Sequence, residues 1–130
     1  MKLTLQTPTQ VLLEGIEVDE VNAPGCKGQL GMFADHANYV SELETGGVKW
    51  RIPGATEMKT AMVSWGFVQV KDQHVSILAD VSELGSEIDK GRAQEAFDTA
   101  KKKLEEGGLE LEDFEKYELK LKRAMARIDA

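Results

Sequence analysis

Residues 83–93 contain the side chains of this chain that are best suited to bind a charged small molecule. The segment reads Glu83-Leu84-Gly85-Ser86-Glu87-Ile88-Asp89-Lys90-Gly91-Arg92-Ala93. Carboxylates such as Glu83 and Asp89 can accept hydrogen bonds from the amino group of a base or from ribose hydroxyls. A guanidinium such as that of Arg92 binds phosphate through charge-assisted hydrogen bonds. The segment is therefore compatible with a nucleotide site.

The same segment also carries a helix start signal. Ser86 is a suitable N-cap residue, and Asp89 follows three residues later as its partner in a capping box. The acidic side chains of Glu87 and Asp89 complement the dipole at a helix N-terminus. Helix initiation accounts for Ser86 and Asp89 but not for Glu83 and Arg92, so both interpretations stay open.

Catalysis has less support in the sequence. His36 and His74 are far apart and both lie in predicted turns, and we find no metal-ligand spacing, phosphate loop or nucleophile motif. The pair Asp35-His36 keeps a small acid–base enzyme among the hypotheses. We expect no catalytic residue and no metal site. The single cysteine, Cys26, cannot form an internal disulfide, which favours a reducing compartment and a bystander role.

The composition of the chain changes at Ser86. Residues 1–86 consist of short alternating segments separated by turn signals every 8–12 residues, which predicts an antiparallel β-sandwich or barrel. Turns are predicted at Pro24-Gly25 and Pro53-Gly54 and at the hairpin tip 72–74. The predicted strands cover residues 2–7, 11–15, 16–23, 28–33, 38–43, 47–52, 59–64, 67–70 and 75–79.

Residues 87–130 have a helical pattern, contain no proline, and are half charged. Two apolar stripes repeat every three or four residues, and Gly107-Gly108 separates them, which predicts an antiparallel hairpin that buries modest area. The stripes comprise Ala93, Ala96, Phe97, Ala100 and Leu104, and then Leu111, Phe114, Tyr117, Leu121, Ala124, Met125 and Ile128.

The net charge of −7 argues against a general nucleic-acid binder. The longest uncharged apolar stretch, residues 60–70, is about half the length of a membrane span. No secretory signal is visible after Met1. The basic residues near the end, Lys120 to Arg127, form either a solvated helix face or a surface that docks on an acidic partner.

Three segments resemble one protein family. Gly28-Gln29-Leu30-Gly31-Met32 and Ala34-Asp35-His36-Ala37-Asn38 are similar to its Gly-Glu-Leu-Gly-Ile and Pro-Gly-His-Ala-Pro segments. Residues 65–70 and 75–80 are similar to Gly-Gly-Phe-Leu-Glu-Val and Val-Thr-Val-Leu-Ala-Asp. Residues 88–93 match the motif Ile/Leu-Asp-x-x-Arg-Ala. The chain thus resembles, over nearly its whole length, the ε subunit of bacterial F-type ATP synthases.

The resemblance implies an α+β fold, with a β-sandwich over residues 1–86 and a regulatory helical hairpin over residues 87–130. It implies a non-catalytic subunit of a proton- or sodium-translocating ATP synthase, peripheral on the cytoplasmic face of the bacterial cell membrane. The sandwich would contact the γ subunit and the c-ring. The hairpin would extend toward the α and β subunits and inhibit ATP hydrolysis. An alternative is a domain that primarily senses ATP. No cofactor is required, and ATP is a possible regulatory ligand.

The resemblance also assigns roles to single residues. Gln29, in place of a glutamate, and His36 would face the c-ring. Thr99 stands where a basic, phosphate-binding residue is expected, and Trp65 replaces the first glycine of a pair. The residues implied to bind nucleotide are Glu83, Ile88, Asp89, Arg92, Ala93, Arg123 and Arg127. The residues implied to dock the extended hairpin on the β subunit are Lys120, Lys122, Arg123 and Arg127.

Overall fold

A computed structural model describes residues 1–35 and 37–130 of the chain. The described residues form an α+β fold, in which strands pair around an apolar core and two helices follow at the C-terminal end. This confirms the predicted sandwich and helical hairpin. The strands are β1 (Lys2–Thr7), β2 (Gln10–Glu17), β3 (Glu20–Gly25), β4 (Gly28–Phe33), β5 (Tyr39–Leu43), β6 (Gly46–Arg51), β7 (Lys59–Lys71) and β8 (His74–Leu84). The helices are α1 (Lys90–Glu106) and α2 (Leu111–Asp129).

The strands are paired in the order β2-β1-β8-β7-β5-β3-β4, and β6 pairs with both β3 and β7. The first half of β7 pairs with β6 and its second half with β5, so one long strand contributes to both layers. The pairing of β1 with β8 is parallel, with Leu3 opposite Val75, whereas the other described pairings are antiparallel. This parallel pairing departs from the purely antiparallel arrangement expected.

A change in side-chain direction at Trp65 lets β7 serve both layers. Trp65 has φ 52°, a left-handed conformation that glycine adopts more readily than other residues. The core residues of β7 are Ala61 and Val63 before this point and Val68 and Val70 after it, so the inward positions switch from odd to even. Residues 59–71 are therefore one strand with a local irregularity, not the two strands predicted.

Two predicted strand ends are wrong for identifiable reasons. Gly15 does not end a strand but adopts φ 55° inside β2, beside irregular β1–β2 pairing, and its N–H donates to Thr4 Oγ1 at 3.1 Å. Pro24 does not end β3 but belongs to it. Proline has no N–H to donate, but the carbonyl oxygen of Pro24 still accepts a hydrogen bond from Glu44 N at 2.9 Å. The turn after β3 is formed by Cys26 and Lys27 instead.

The helical hairpin folds back at Gly107 and Gly108, which have φ 68° and 71°. Ala93, Ala100 and Ala124 are buried, as their small side chains allow close helix contact. The C-terminal half of α2 also packs on β6 and β7, which buries Ala126 outside the predicted stripe. The predicted burial is wrong for several stripe residues. Leu111 and Phe114 are exposed near the hairpin turn, Ala96 lines an open cavity, and Met125 lies on the solvent side of α2.

Candidate functional site

A cavity of about 790 Å³ lies between the end of β8, the start of α1 and the inner face of α2. Its walls come from segments far apart in sequence, so the cavity exists only while the hairpin is folded. The structure brings together every residue that the resemblance assigned to nucleotide binding. These lining residues are Glu83, Ile88, Asp89, Arg92, Ala93, Arg123 and Arg127.

Asp89 forms the hinge side of the cavity and begins α1. It is the N-cap residue, with an extended backbone, and its Oδ1 accepts from Arg92 N at 3.1 Å. The prediction that Ser86 caps the helix is wrong. Residues Gly85–Glu87 form a short 3-10 turn and Ile88 is extended, so α1 begins three residues later than expected. Helix initiation thus uses one oxygen of the Asp89 carboxylate.

Arg127 and Arg123 connect α2 to the sandwich while also lining the cavity. Arg127 Nε donates to Glu83 Oε1 at 2.8 Å. Arg123 Nε donates to Ser64 Oγ at 2.8 Å, and its Nη2 lies 3.9 Å from Asp80 Oδ2. Ser64 is fully buried and its hydroxyl also lies 3.0 Å from Thr45 Oγ1. Each guanidinium therefore uses its Nε edge to hold the hairpin against the strands.

Lys90, at the first position of α1, closes the open end of the hairpin. Its Nζ donates to the carbonyl oxygens of Arg127 and Ile128 at 2.8 and 2.7 Å, and to that of Ala130. Carbonyls at a helix C-terminus lack intrahelical partners and attract cations. Lys90 thus links the start of α1 to the end of α2 and fixes the register of the two helices.

Several lining residues were not predicted for this site. These residues include Glu87, Glu95, Tyr117 and Lys120. Thr99, which stands where the resemblance implies a basic residue, also lines the cavity. The signal for Tyr117 was its position in the apolar stripe of α2 that faces α1. Lys120 follows Tyr117 by one turn, and its Nζ lies 5.4 Å from the centre of the Tyr117 ring.

The cavity carries equal numbers of acidic and basic side chains. Carboxylates can accept from amino and hydroxyl groups, and the cations can bind phosphate. The combination suits a ligand that has hydrogen-bond donors at one end and negative charge at the other. The acidic residues are Glu83, Glu87, Asp89 and Glu95, and the basic residues are Arg92, Lys120, Arg123 and Arg127.

Comparison with known proteins gives a family for this architecture. The model of the ATP synthase delta/epsilon chain β-sandwich domain matches residues 1–85, and that of the delta/epsilon chain long α-helix domain matches residues 86–130. The chain belongs to the ATP synthase delta/epsilon family.

Individual relatives in the delta/epsilon family align over the full chain. The ATP synthase epsilon chain of Bdellovibrio bacteriovorus is 38% identical over 130 residues, which are 100% of this chain and 93% of that protein. The epsilon chain of Halalkalibacterium halodurans is 36% identical, over 99% of this chain and 95% of its own length. A chain in the Euglena gracilis mitochondrial ATP synthase has the same fold, with a TM-score of 0.83 and 22% sequence identity. The match covers 97% of this chain and 78% of the Euglena chain.

The delta/epsilon resemblance placed two residues at the c-ring, and the structure describes one of them. Gln29 is exposed on β4 opposite Pro24, and His36 lies outside the described residues. The loop before β5 is joined to the β7–β8 turn. Gln73 Oε1 accepts from Asp35 N, and Gln73 Nε2 donates to Asp35 Oδ1, both at 3.2 Å.

The sandwich of this delta/epsilon chain also exposes an apolar patch, here called the aromatic patch, on the outer faces of β5, β7 and β8. Trp65 and Phe67 pack edge to face with ring centres 5.5 Å apart, and Trp65 Nε1 donates to Glu42 Oε1 at 2.8 Å. Leu78 lies opposite Phe67 in the β7–β8 pairing, and Val40 is 66% exposed. Clustered exposed apolar side chains of this kind mark interaction surfaces.

Two remaining features are the single cysteine and the apolar length of the helices. Cys26 is exposed, and desolvation together with the carboxylates of Glu42 and Glu44 raises the pKa of its thiol, which disfavours the reactive thiolate. Within the described ranges, neither α1 nor α2 has the apolar length that crossing a bilayer requires.

Proposed function

We propose that this chain is a non-catalytic central-stalk subunit of a bacterial F-type ATP synthase, whether the coupling ion is proton or sodium. Membership of the delta/epsilon family over the full chain supports this role. Residues 1–86 would form the docking unit, with the aromatic patch toward the γ subunit and the Gln29 edge toward the c-ring. The chain would then be peripheral on the cytoplasmic face of the cell membrane, held there through the complex.

We further propose that residues 87–130 act as a regulatory unit that leaves the sandwich and inhibits ATP hydrolysis. The observation that carries this proposal is the sparse polar attachment of α2, through Arg123 to Ser64 and Arg127 to Glu83. Such partly exposed contacts contribute about 1 kcal/mol each, so an open hairpin is accessible. Opening would free both arginines, with Lys120 and Lys122, for an acidic surface of the β subunit.

ATP is proposed as the ligand that favours the folded hairpin. A ligand shifts a conformational equilibrium only by its difference in affinity for the two states. The cavity disappears when the hairpin opens, so a nucleotide bound there would favour the folded state alone. The alternative, a domain that primarily senses ATP, uses the same cavity and differs in how tightly the isolated chain binds.

Truncation of the assembled enzyme tests the regulatory role. ATP hydrolysis should rise when residues 87–130 are removed, because the inhibitory element is lost. Normal assembly of the truncated complex, checked by subunit composition, is the control. If hydrolysis is unchanged, the inhibitory role is wrong, and assembly and coupling remain as the proposed function.

Titration of the isolated chain with MgATP tests the ligand. We expect the melting temperature to rise and the hairpin amides to exchange more slowly. The quantity to compare is the ligand-induced shift of each variant, because Asp89→Ala also removes a helix cap. The assignment of the site is wrong if Asp89→Ala and Arg92→Ala leave that shift intact. Micromolar or tighter binding would favour the ATP-sensing alternative.

A further inference from the structure

We propose that Lys120, held over the ring of Tyr117, is the cation that binds the phosphate end of the ligand. Lys120 lies across the cavity from Thr99 of α1, which carries no charge. This inference rests on the proposed nucleotide site and adds a specificity-determining residue to it. The family resemblance gave Lys120 a role only in the extended hairpin. Its place in the folded structure gives it a second one.

The register of the helices places Lys120 across from Thr99. Lys90 Nζ binds the carbonyls of Arg127 and Ile128, so these positions lie side by side in an antiparallel pair. Thr99 follows Lys90 by nine residues along α1, which corresponds to about 13.5 Å at 1.5 Å per residue. The same distance back along α2 from position 128 reaches about position 119. Thr99 and Lys120 therefore face the cavity within about one helical turn of each other.

Charge is distributed unevenly along the cavity. The hinge end is formed by residues 83–89 and carries the carboxylates of Glu83, Glu87 and Asp89, of which Glu83 is paired with Arg127. The far end is formed by Thr99 and Tyr117, which are neutral, and by Lys120. Carboxylates outnumber cations at the hinge end, which favours an amino-bearing base there and directs the phosphates of the same ligand toward the far end. Lys120 is the cation nearest that end.

Tyr117 gives the ammonium group a defined position. Lys120 Nζ lies 5.4 Å from the centre of the Tyr117 ring, three residues earlier on the same helix. Contact with an aromatic face orients a lysine that would otherwise sample many rotamers. The ring is half-buried, whereas the lysine is exposed, so the ammonium keeps access to a ligand while its stem is held. Tyr117 is therefore a positioning residue.

Binding of ATP and adenosine to the full chain tests the inference by calorimetry. Lys120→Gln should weaken ATP binding roughly tenfold to a hundredfold, because a charge-assisted hydrogen bond is lost. Adenosine, which has no phosphate, should bind this variant as it binds the original chain. Lys116→Gln, one turn earlier on α2 and outside the cavity, is the matched control and should bind ATP normally.

Two further variants sharpen the test. Tyr117→Leu keeps the apolar packing of the hairpin and should weaken ATP binding less than Lys120→Gln does. Thr99→Lys in the Lys120→Gln background should recover part of the lost affinity, because the new cation lies at the same level. The inference is overturned if Lys120→Gln binds ATP normally, if adenosine binding falls as much as ATP binding, or if Thr99→Lys restores nothing.

The result separates this inference from the proposed site itself. If the original chain binds ATP and Arg92→Ala abolishes binding while Lys120→Gln does not, the site stands and the role of Lys120 is wrong. If the original chain binds no ATP, the proposed site and the role of Lys120 are both wrong.

Discussion

Arg127, in the last turn of α2, donates from Nε to Glu83 Oε1 of β8 at 2.8 Å, and this contact joins the last helix to the strand that leads into the hinge. The two side chains are 27% and 38% exposed, so the pair is only partly screened by solvent. It is the contact most directly opposed to opening of the hairpin at its base.

We expect a double-mutant cycle to give this pair a coupling free energy of about 0.5–1.5 kcal/mol. The cycle uses Glu83→Ala, Arg127→Ala and the combination, with urea unfolding as the measurement. The control cycle uses Glu118 and Lys122, a more exposed pair 4.0 Å apart on α2, which should couple by about 0.3–0.5 kcal/mol. A coupling for Glu83 and Arg127 no larger than this control would contradict the prediction.

Replacing Gly85 or Gly91 by alanine should change the free energy of unfolding in opposite directions. A Cβ at Gly85 would lie 2.2 Å from Thr60 Oγ1 and 3.0 Å from Thr60 O, so Gly85→Ala should destabilise by about 1–3 kcal/mol. A Cβ at Gly91 would meet Asp89 Oδ1 at 3.5 Å, an ordinary contact. Gly91→Ala should therefore stabilise α1 by about 0.5 kcal/mol. Thermal unfolding of both variants checks the signs, and equal signs would count against this hinge geometry.

Removing the charge of Lys90 should loosen the last turn of α2. Lys90→Gln loses contacts with terminal carbonyls and a favourable interaction with the helix dipole, about 0.5–1 kcal/mol. Hydrogen exchange of the backbone amides near residue 128 should speed up by about twofold to fivefold. Lys101→Gln, on the exposed side of α1, should leave these amides unchanged. Faster exchange in both variants would show a general charge effect instead.

The capping role of Asp89 can be tested separately from its ligand role. Asp89→Ala should destabilise α1 by about 1 kcal/mol, because the acceptor for Arg92 N disappears. Asp89→Asn keeps a side-chain oxygen at the N-cap and should retain most of that stability. Circular dichroism melts compare the two. Equal destabilisation by asparagine and alanine would mean that the carboxylate charge, rather than the cap, stabilises the helix.

Local sequence signals predicted the order of the elements well. Alternating strands up to β8 and two helical stripes separated by Gly107-Gly108 were recognisable because each depends on neighbouring residues. The grouping of Glu83, Asp89 and Arg92 at the hinge also followed from their proximity in the chain. Their convergence with Arg123 and Arg127 in one cavity came from the family resemblance, since helix periodicity alone does not fix how a hairpin docks.

The features that escaped prediction depend on long-range packing. The left-handed backbone at Trp65 is specified by the pairing of β7 with two partners, and a tryptophan gives no local sign of it. The burial of Ala126 arises because α2 packs on the sandwich as well as on α1. The position of Lys120 in the cavity depends on the register of two helices, which Lys90 sets from a distance.

The parallel pairing of β1 with β8 has a mechanical consequence. β8 lies between β1 and β7, so the strand that leads into the hinge is paired with β7 from His74 to Leu84 and with β1 from His74 to Leu78. A pull on the hairpin along β8 loads both ladders in shear, and many hydrogen bonds must yield together. The sandwich can therefore bear force from a moving hairpin while the short segment after Leu84 bends.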